Sequence, residues 1–240
     1  MLTSLFLTAL LISTASDLQC DKDARHLTAS YSVTTSQANS SPRTSQLVLW
    51  RNGERVAHQY PQTQVTEAWT HVKHQWLKPM RYFDAHQRAI EYQPGERIHG
   101  KVDSDWSYRY QLVSNALLSR MHLRDTTGTG CQTVQSFELE ENGRTLTLSW
   151  LPALHLVKSF TASTANTRSH WSLETLHHNA DNTAAFFTKR AQYKSTDFAD
   201  IGDDHTDPFL TNMVNQGFIE AGASGFYDSH GQAMSGSHSH

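Results

Sequence analysis

The chain has 240 residues and a formal net charge of −3, which argues against a nucleic-acid footprint, and no basic stripe with interleaved aromatics occurs. Hydrophobic residues at 38% and aromatics at 10% suit one domain built on a sheet with one wet face and one face lined by large rings. No apolar run approaches the roughly 20 residues that a membrane-spanning helix needs.

Leu5 to Ile12 form an uncharged apolar run followed by Ser13, Thr14, Ala15 and Ser16. That order predicts a signal peptide over residues 1–16, cut after Ala15 or Ser16, although no Lys or Arg precedes the run. The mature chain is therefore expected to be exported, to a periplasmic or extracellular space. Cys20 stands at the distance from the start where bacterial lipoproteins are acylated, but Asp17, Leu18 and Gln19 in front of it do not suit that signal. A disulfide with Cys131, the other cysteine, is the expected outcome in an oxidising compartment. It closes a loop of roughly a hundred residues and contributes about 2–4 kcal/mol.

Leu27, Ala29, Tyr31 and Val33 alternate with Thr28, Ser30, Ser32 and Thr34, the period of two of a half-buried strand. A polar loop from Gln37 to Ser45 follows, and then Leu47 to Trp50 and Val56 to Tyr60 flank Asn52-Gly53, a pair suited to the positive φ angles of a tight hairpin. Asn39-Ser40-Ser41 would accept a glycan in a eukaryotic host. Between Thr66 and Trp76 the large apolar groups Trp69, Val72 and Trp76 fall three and four apart, which predicts a short helix. Arg81 to Asp84 and Arg88 to Tyr92 read as another hairpin, ended by Pro94-Gly95. Asp105 is a predicted N-cap for a helix reaching about Arg120, with Trp106, Tyr110, Val113, Leu117 and Met121 at helical spacing.

Gly128 and Gly130 break the chain before Cys131. Gln132 to Leu139 and Arg144 to Trp150 are joined by Asn142-Gly143, with Leu146, Leu148 and Trp150 on one face. Leu154 to Ala162, His170 to Leu176 and Ala185 to Tyr193 continue as predicted strands. An acidic loop after Asp197 leads to a helix from Pro208 to about Gln216.

These elements predict an α+β fold: a strongly curved, half-barrel-like antiparallel sheet of about 8–10 strands with two or three covering helices. Residues 17–226 form a single β-rich domain and 227–240 a flexible His/Ser/Gly-rich tail. In element order this plan resembles the open half-barrel of periplasmic lipoprotein carriers. That resemblance implies a bent sheet holding an acyl chain beneath helices.

Three sets of residues are candidates for function. Trp50, Trp69, Trp106, Tyr110 and Trp150 sit on or beside predicted core faces, where a curved sheet would let them line a mainly apolar cavity. Asp197, Asp200, Asp203, Asp204 and Asp207 crowd with His205 before Pro208, an oxygen-rich stretch of the kind that holds calcium, although it lacks the distal glutamate of an EF-hand. Capping of the following helix explains the same acids without a metal. His230, Met234, His238 and His240 offer soft and imidazole ligands for copper or zinc on a tail that must lose entropy to close on an ion. His177-His178 reads as surface, and His71 and His74 share a helical face with no third ligand to be named.

Nucleophilic catalysis has little support. Gly222-Ala223-Ser224-Gly225 has the wrong spacing for a nucleophile elbow, and no HExxH, phosphate loop or dinucleotide fingerprint occurs. The leading expectation is a non-enzymatic binding or carrier protein for an apolar small molecule or lipid. A metal-handling protein using the acidic loop or the tail comes second, and a hydrolase third.

Overall fold

The computed structural model describes residues 20–98, 101–201 and 207–215. A first meander runs through β1 (His26–Gln37), β2 (Arg43–Asn52), β3 (Arg55–Tyr60), β4 (Val65–Val72), β5 (Trp76–Phe83) and β6 (Arg88–Glu91). A small ribbon of β7 (Arg97–Ile98) and β8 (Lys101–Val102) leads to α1 (Trp106–Gln111) and α2 (Asn115–Arg120). The second meander is β9 (His122–Thr127), β10 (Val134–Glu141), β11 (Arg144–Leu151), β12 (Leu156–Ser163) and β13 (Thr167–His177). Then come α3 (Ala180–Arg190), β14 (Lys194–Asp197) and α4 (Pro208–Asn215).

β1 pairs with both β2 and β13, which fuses the two meanders into one 12-stranded sheet in the order β14-β6-β5-β4-β3-β2-β1-β13-β12-β11-β10-β9. The outer strands β14 and β9 do not pair, so the sheet is open. It is wider than the eight to ten strands expected, because β9 and β14 carry too little apolar alternation to be read from sequence and β4 falls where a helix was predicted; all six residues of β9 are exposed.

The two NG turns differ. Asn142 and Gly143 both take positive φ, 52° and 72°, as a type I′ turn needs. At the other, Asn52 pairs with Arg55 and only Gly53 is positive, at 63°, so the loop is Gly53-Glu54 with glycine first.

Several expectations are corrected. The helix over Thr66–Trp76 is the β4–β5 hairpin: Trp69 is buried while Trp76, on the next strand, is 46% exposed, so their spacing never shared a face. The β-branched Val65, Thr66, Thr70 and Val72 favour the strand. The helix from Asp105 to Arg120 is two helices. Asp105 does cap α1, accepting from the Tyr108 amide, but Leu112 turns left-handed at φ 65° and Ser114 caps a new start at α2. The strand from Ala185 to Tyr193 is α3 and the turn beyond it. Asn179 caps that helix, Asp181 and Lys189/Arg190 suit its dipole, and Phe186 and Phe187 bury one side. Lastly, β14 pairs in parallel with β6, an exception to an otherwise antiparallel sheet. There are four α-helices among the described residues rather than two or three.

Strand alternation divides the helices between the faces. α1 and α2 bury Tyr108, Leu112, Val113, Leu117 and Met121 against Leu27, Leu49, Trp69, Leu148 and Trp171 in the main core. α4 covers Val65, Phe83 and Ile90 near one edge with Leu210 and Met213. On the opposite face Phe186 and Phe187 of α3 pack on Ala57, Ala68, Tyr82 and Ala89. A disulfide joins Cys20 to Cys131 as expected, pinning the segment before β1 to the 3-10 turn Gly130–Gln132. Among the described residues no helix is long and apolar enough to cross a membrane.

Candidate functional site

On the face covered by α1, the alternation that buries Leu47 and Leu49 also buries Arg51, which is 0% exposed. Its guanidinium donates to the carbonyls of Ala24 at 3.1 Å, Tyr110 at 2.8 Å, Leu154 at 2.8 Å and His155 at 2.6 Å, and lies 4.0 Å over the Tyr110 ring. Burial brings its pKa down to about 10, so it remains charged at neutral pH. One side chain thus ties the N-terminal segment, α1 and the β11–β12 connection to β2.

A polar row crosses the neighbouring strands in register, His58 opposite Glu67 and Glu67 opposite Arg81. The Nε2–H of His58 donates to the Arg109 carbonyl at 2.7 Å. Burial, helped by the nearby Arg109 charge, pushes the His58 pKa down to about 4, so the imidazole is neutral at physiological pH. Burial alone would raise the Glu67 carboxyl, but Arg81, at 2.7 Å, and Arg109 outweigh it and hold the acid ionised. Arg109 pairs with Asp103 at 2.7 Å and spreads over the Trp69 ring at 4.3 Å. Every charge in this seam has a partner, which fixes α1 on the sheet.

The other half of the same face is apolar. Leu123, Phe137, Leu148, Phe160, Trp171 and Val33 stand opposite one another across β9, β10, β11, β12, β13 and β1, a single cross-strand row. Within the main core Val33 is 4% exposed, Trp171 1%, Phe160 4% and Leu148 2%; Phe137 is half-buried and Leu123 is 52% exposed. The row therefore emerges from its cover toward the free edge of the sheet.

Of the aromatic residues predicted to line a cavity, Trp69, Trp106, Tyr110 and Trp150 share the α1 face. Trp106 stacks on His71 at 4.7 Å and neighbours Tyr110 at 5.4 Å, Trp69 lies 4.9 Å from His58, and Trp150 lies 6.4 Å from His155. Trp69, Trp106 and Tyr110 flank the polar seam, while Trp150 stands two residues along β11 from Leu148 of the apolar row. Trp50 is on the opposite face, stacked on Phe186 at 3.9 Å. A half-open pocket of about 280 Å³ also lies on that opposite side, with a mixed lining that includes Arg55, Lys78, Tyr82, Phe187 and Arg190.

The acidic stretch does structural work where it is described. Asp197 caps a short 3-10 turn and accepts from Gln93, and Asp207 accepts from the Phe209 amide and pairs with Arg88 at 2.7 Å; backbone and side-chain hydrogen bonds hold both carboxyls below the usual range. Asp200 is exposed at the end of the 3-10 turn. Asp203, Asp204, His205, His230, His238 and His240, like residues 1–16 where a signal peptide is predicted, lie outside the described residues. Among the described residues two groups bring three metal-type ligands together: Cys20, Asp21 and Cys131, whose sulfurs are already joined, and Glu54, His71 and His74.

Sequence reasoning missed Arg51, His58, Glu67 and Glu54. The first three sit in step with buried apolar neighbours of their strands, a signal that alternation offers. Glu54 became a neighbour of His71 only once residues 66–76 formed a hairpin.

No family model and no curated protein matches this chain. Among solved structures it is similar to PNGF-II, at 9% identity over 79% of this chain and 33% of that one, with a TM-score of 0.40. It is also similar to a LolA superfamily protein from Nitrosomonas europaea, at 8% identity over 69% of this chain and 90% of that one, TM-score 0.29. A DUF1329 family protein from Desulfovibrio piger gives 8% identity over 68% and 89%, TM-score 0.33. The chain spans about a third of the length of PNGF-II. At these scores, function has to be read from the chain's own geometry.

Proposed function

We propose that this protein is an exported, non-enzymatic carrier that holds one apolar chain, from a lipid or a lipoprotein acyl group, on the apolar half of the α1/α2-covered face. The observation that carries the reading is the six-strand row from Val33 to Leu123, whose burial falls away toward the unpaired β9 edge. Such a gradient gives an acyl chain a way in from the rim, and each buried methylene contributes about 0.8 kcal/mol.

A strong bend of the sheet belongs to the same proposal. Twelve strands laid flat would span about 50 Å. α1 and α2, six residues each, are only about 9 Å long apiece. One continuous buried cluster nevertheless takes in Leu77 of β5 and Leu139 of β10, which supports a sheet whose two sides turn toward each other. Export is supported by the Cys20–Cys131 disulfide, a bond that persists in oxidising compartments. In this reading Trp150, two residues along β11 from Leu148, borders the row, Trp69, Trp106 and Tyr110 stay with the polar seam, and Trp50 takes no part.

The test is binding of a fluorescent fatty acid to the exported protein, with native mass spectrometry of what it carries. Leu123→Glu and Phe137→Glu should each weaken binding at least tenfold, since they place a charge on the entry path. Leu123 is half exposed, so its variant should keep the wild-type melting temperature. No lipid adduct, together with equal probe binding by all three proteins, contradicts the proposal.

A further inference from the structure

At one end of the sheet two hairpin turns meet. The β2–β3 turn presents Glu54, and the end of β4 with its three-residue turn presents His71 and His74. The turns are joined through the backbone, the His71 amide donating to the Glu54 carbonyl at 2.9 Å. The β4–β5 loop then turns back with Lys73 and His74 both at φ 52°, which returns the His74 ring to the same carboxylate. Nδ1 of His71 lies 3.4 Å and Nδ1 of His74 3.6 Å from Glu54 Oε2. One ligand atom from each of the three residues falls within 4.8 Å of the other two.

We propose that Glu54, His71 and His74 are a binding site for a single zinc-class divalent transition-metal ion. Zinc binds imidazole nitrogen and carboxylate oxygen at about 2.0–2.2 Å, so the edge of a tetrahedral site is about 3.4 Å. Both His–Glu separations already match that edge, and the two imidazole ligand atoms lie within 4.8 Å of each other. The ligand set is two nitrogens and one oxygen, a type taken by zinc and copper rather than by calcium or magnesium. His71 is largely buried and stacked on Trp106 at 4.7 Å, which fixes its ring plane. His74 is 76% exposed and leaves the fourth position open to solvent or to a further ligand. Arg25 stands 3.5 Å from the other carboxylate oxygen, Glu54 Oε1, an exposed ion pair of small worth whose positive charge opposes a cation at Oε2.

The experiment titrates zinc alone into the full-length, metal-stripped protein by calorimetry, and follows Trp fluorescence during a parallel copper titration, since Trp106 lies against a ligand ring. Wild type is expected to bind one ion that both His74→Ala and Glu54→Gln lose or weaken at least tenfold, while Arg25→Gln tightens it. The fluorescence component quenched by copper should disappear in Trp106→Phe. His74 projects into solvent, so His74→Ala should fold as wild type, and an unchanged melting temperature without metal checks this. No zinc binding by wild type, or equal affinity and equal quenching in wild type, His74→Ala and Glu54→Gln, overturns the site; the second result assigns the ion to other histidines of the chain.

Discussion

His58 and Arg51 owe their behaviour to burial on a face that alternation reserves for apolar groups. For His58 the folded pKa of about 4 lies below the ordinary imidazole value near 6.5. Between those values the unfolded chain binds more protons than the folded one, so stability rises with pH there and is lost as pH falls from about 6.5 toward 4. The loss is on the order of 3 kcal/mol. Urea melts at pH 7.5 and pH 4.5 should show that acid sensitivity in wild type and much less of it in His58→Gln, whose amide keeps a neutral donor for the Arg109 carbonyl; equal acid sensitivity in both would assign the effect elsewhere. Leu146, Leu148 and Trp150 were readable as one face because they alternate with Thr145, Thr147 and Ser149. Arg51 keeps step with Leu47 and Leu49, but an arginine ordinarily marks the wet face, and only the four carbonyls that gather around it explain its burial.

The strands with clean alternation or an NG turn, β1, β2, β3, β10 and β11, were legible because those signals are local. The elements that were misread all depend on partners distant in sequence. Residues 66–76 carry a helical spacing by accident of a turn, and they become β4 and β5 because strands flank them on both sides. Residues 180–190 become α3 because Phe186 and Phe187 meet the back of the sheet, and because Asn179 caps the start. The stretch between Asp105 and Arg120 was right in type and wrong in continuity. Ser114 makes the break: its hydroxyl accepts from the Leu117 amide at 2.9 Å, which starts α2 afresh. Ser114→Ala should cost about 1 kcal/mol in chemical denaturation. A helix running unbroken through Leu112 would instead make that substitution neutral or stabilising.

Two meanders joined at β1 and β13 leave the molecule with one very wide, unclosed sheet, covered on one side by α1, α2 and α4 and on the other by α3. The plan of an open sheet under helices followed from element order alone. The division of its covered face did not, since which strands face each other sets where polar and apolar rows lie, and that depends on the β1–β13 pairing across more than a hundred residues. With that pairing in place, Arg51, His58, Glu67 and Arg81 fall on one half of the face and Leu123, Phe137, Leu148, Phe160 and Trp171 on the other. The carrier reading depends on that second half receiving a ligand. A fatty acid bearing a photoreactive group at its methyl end should, on irradiation with the exported protein, attach to β9–β11 around Leu123, Phe137 and Leu148, as mapped by peptide mass spectrometry. Attachment confined to the α3 side around Trp50, Tyr82 and Phe187, or none at all, would contradict it.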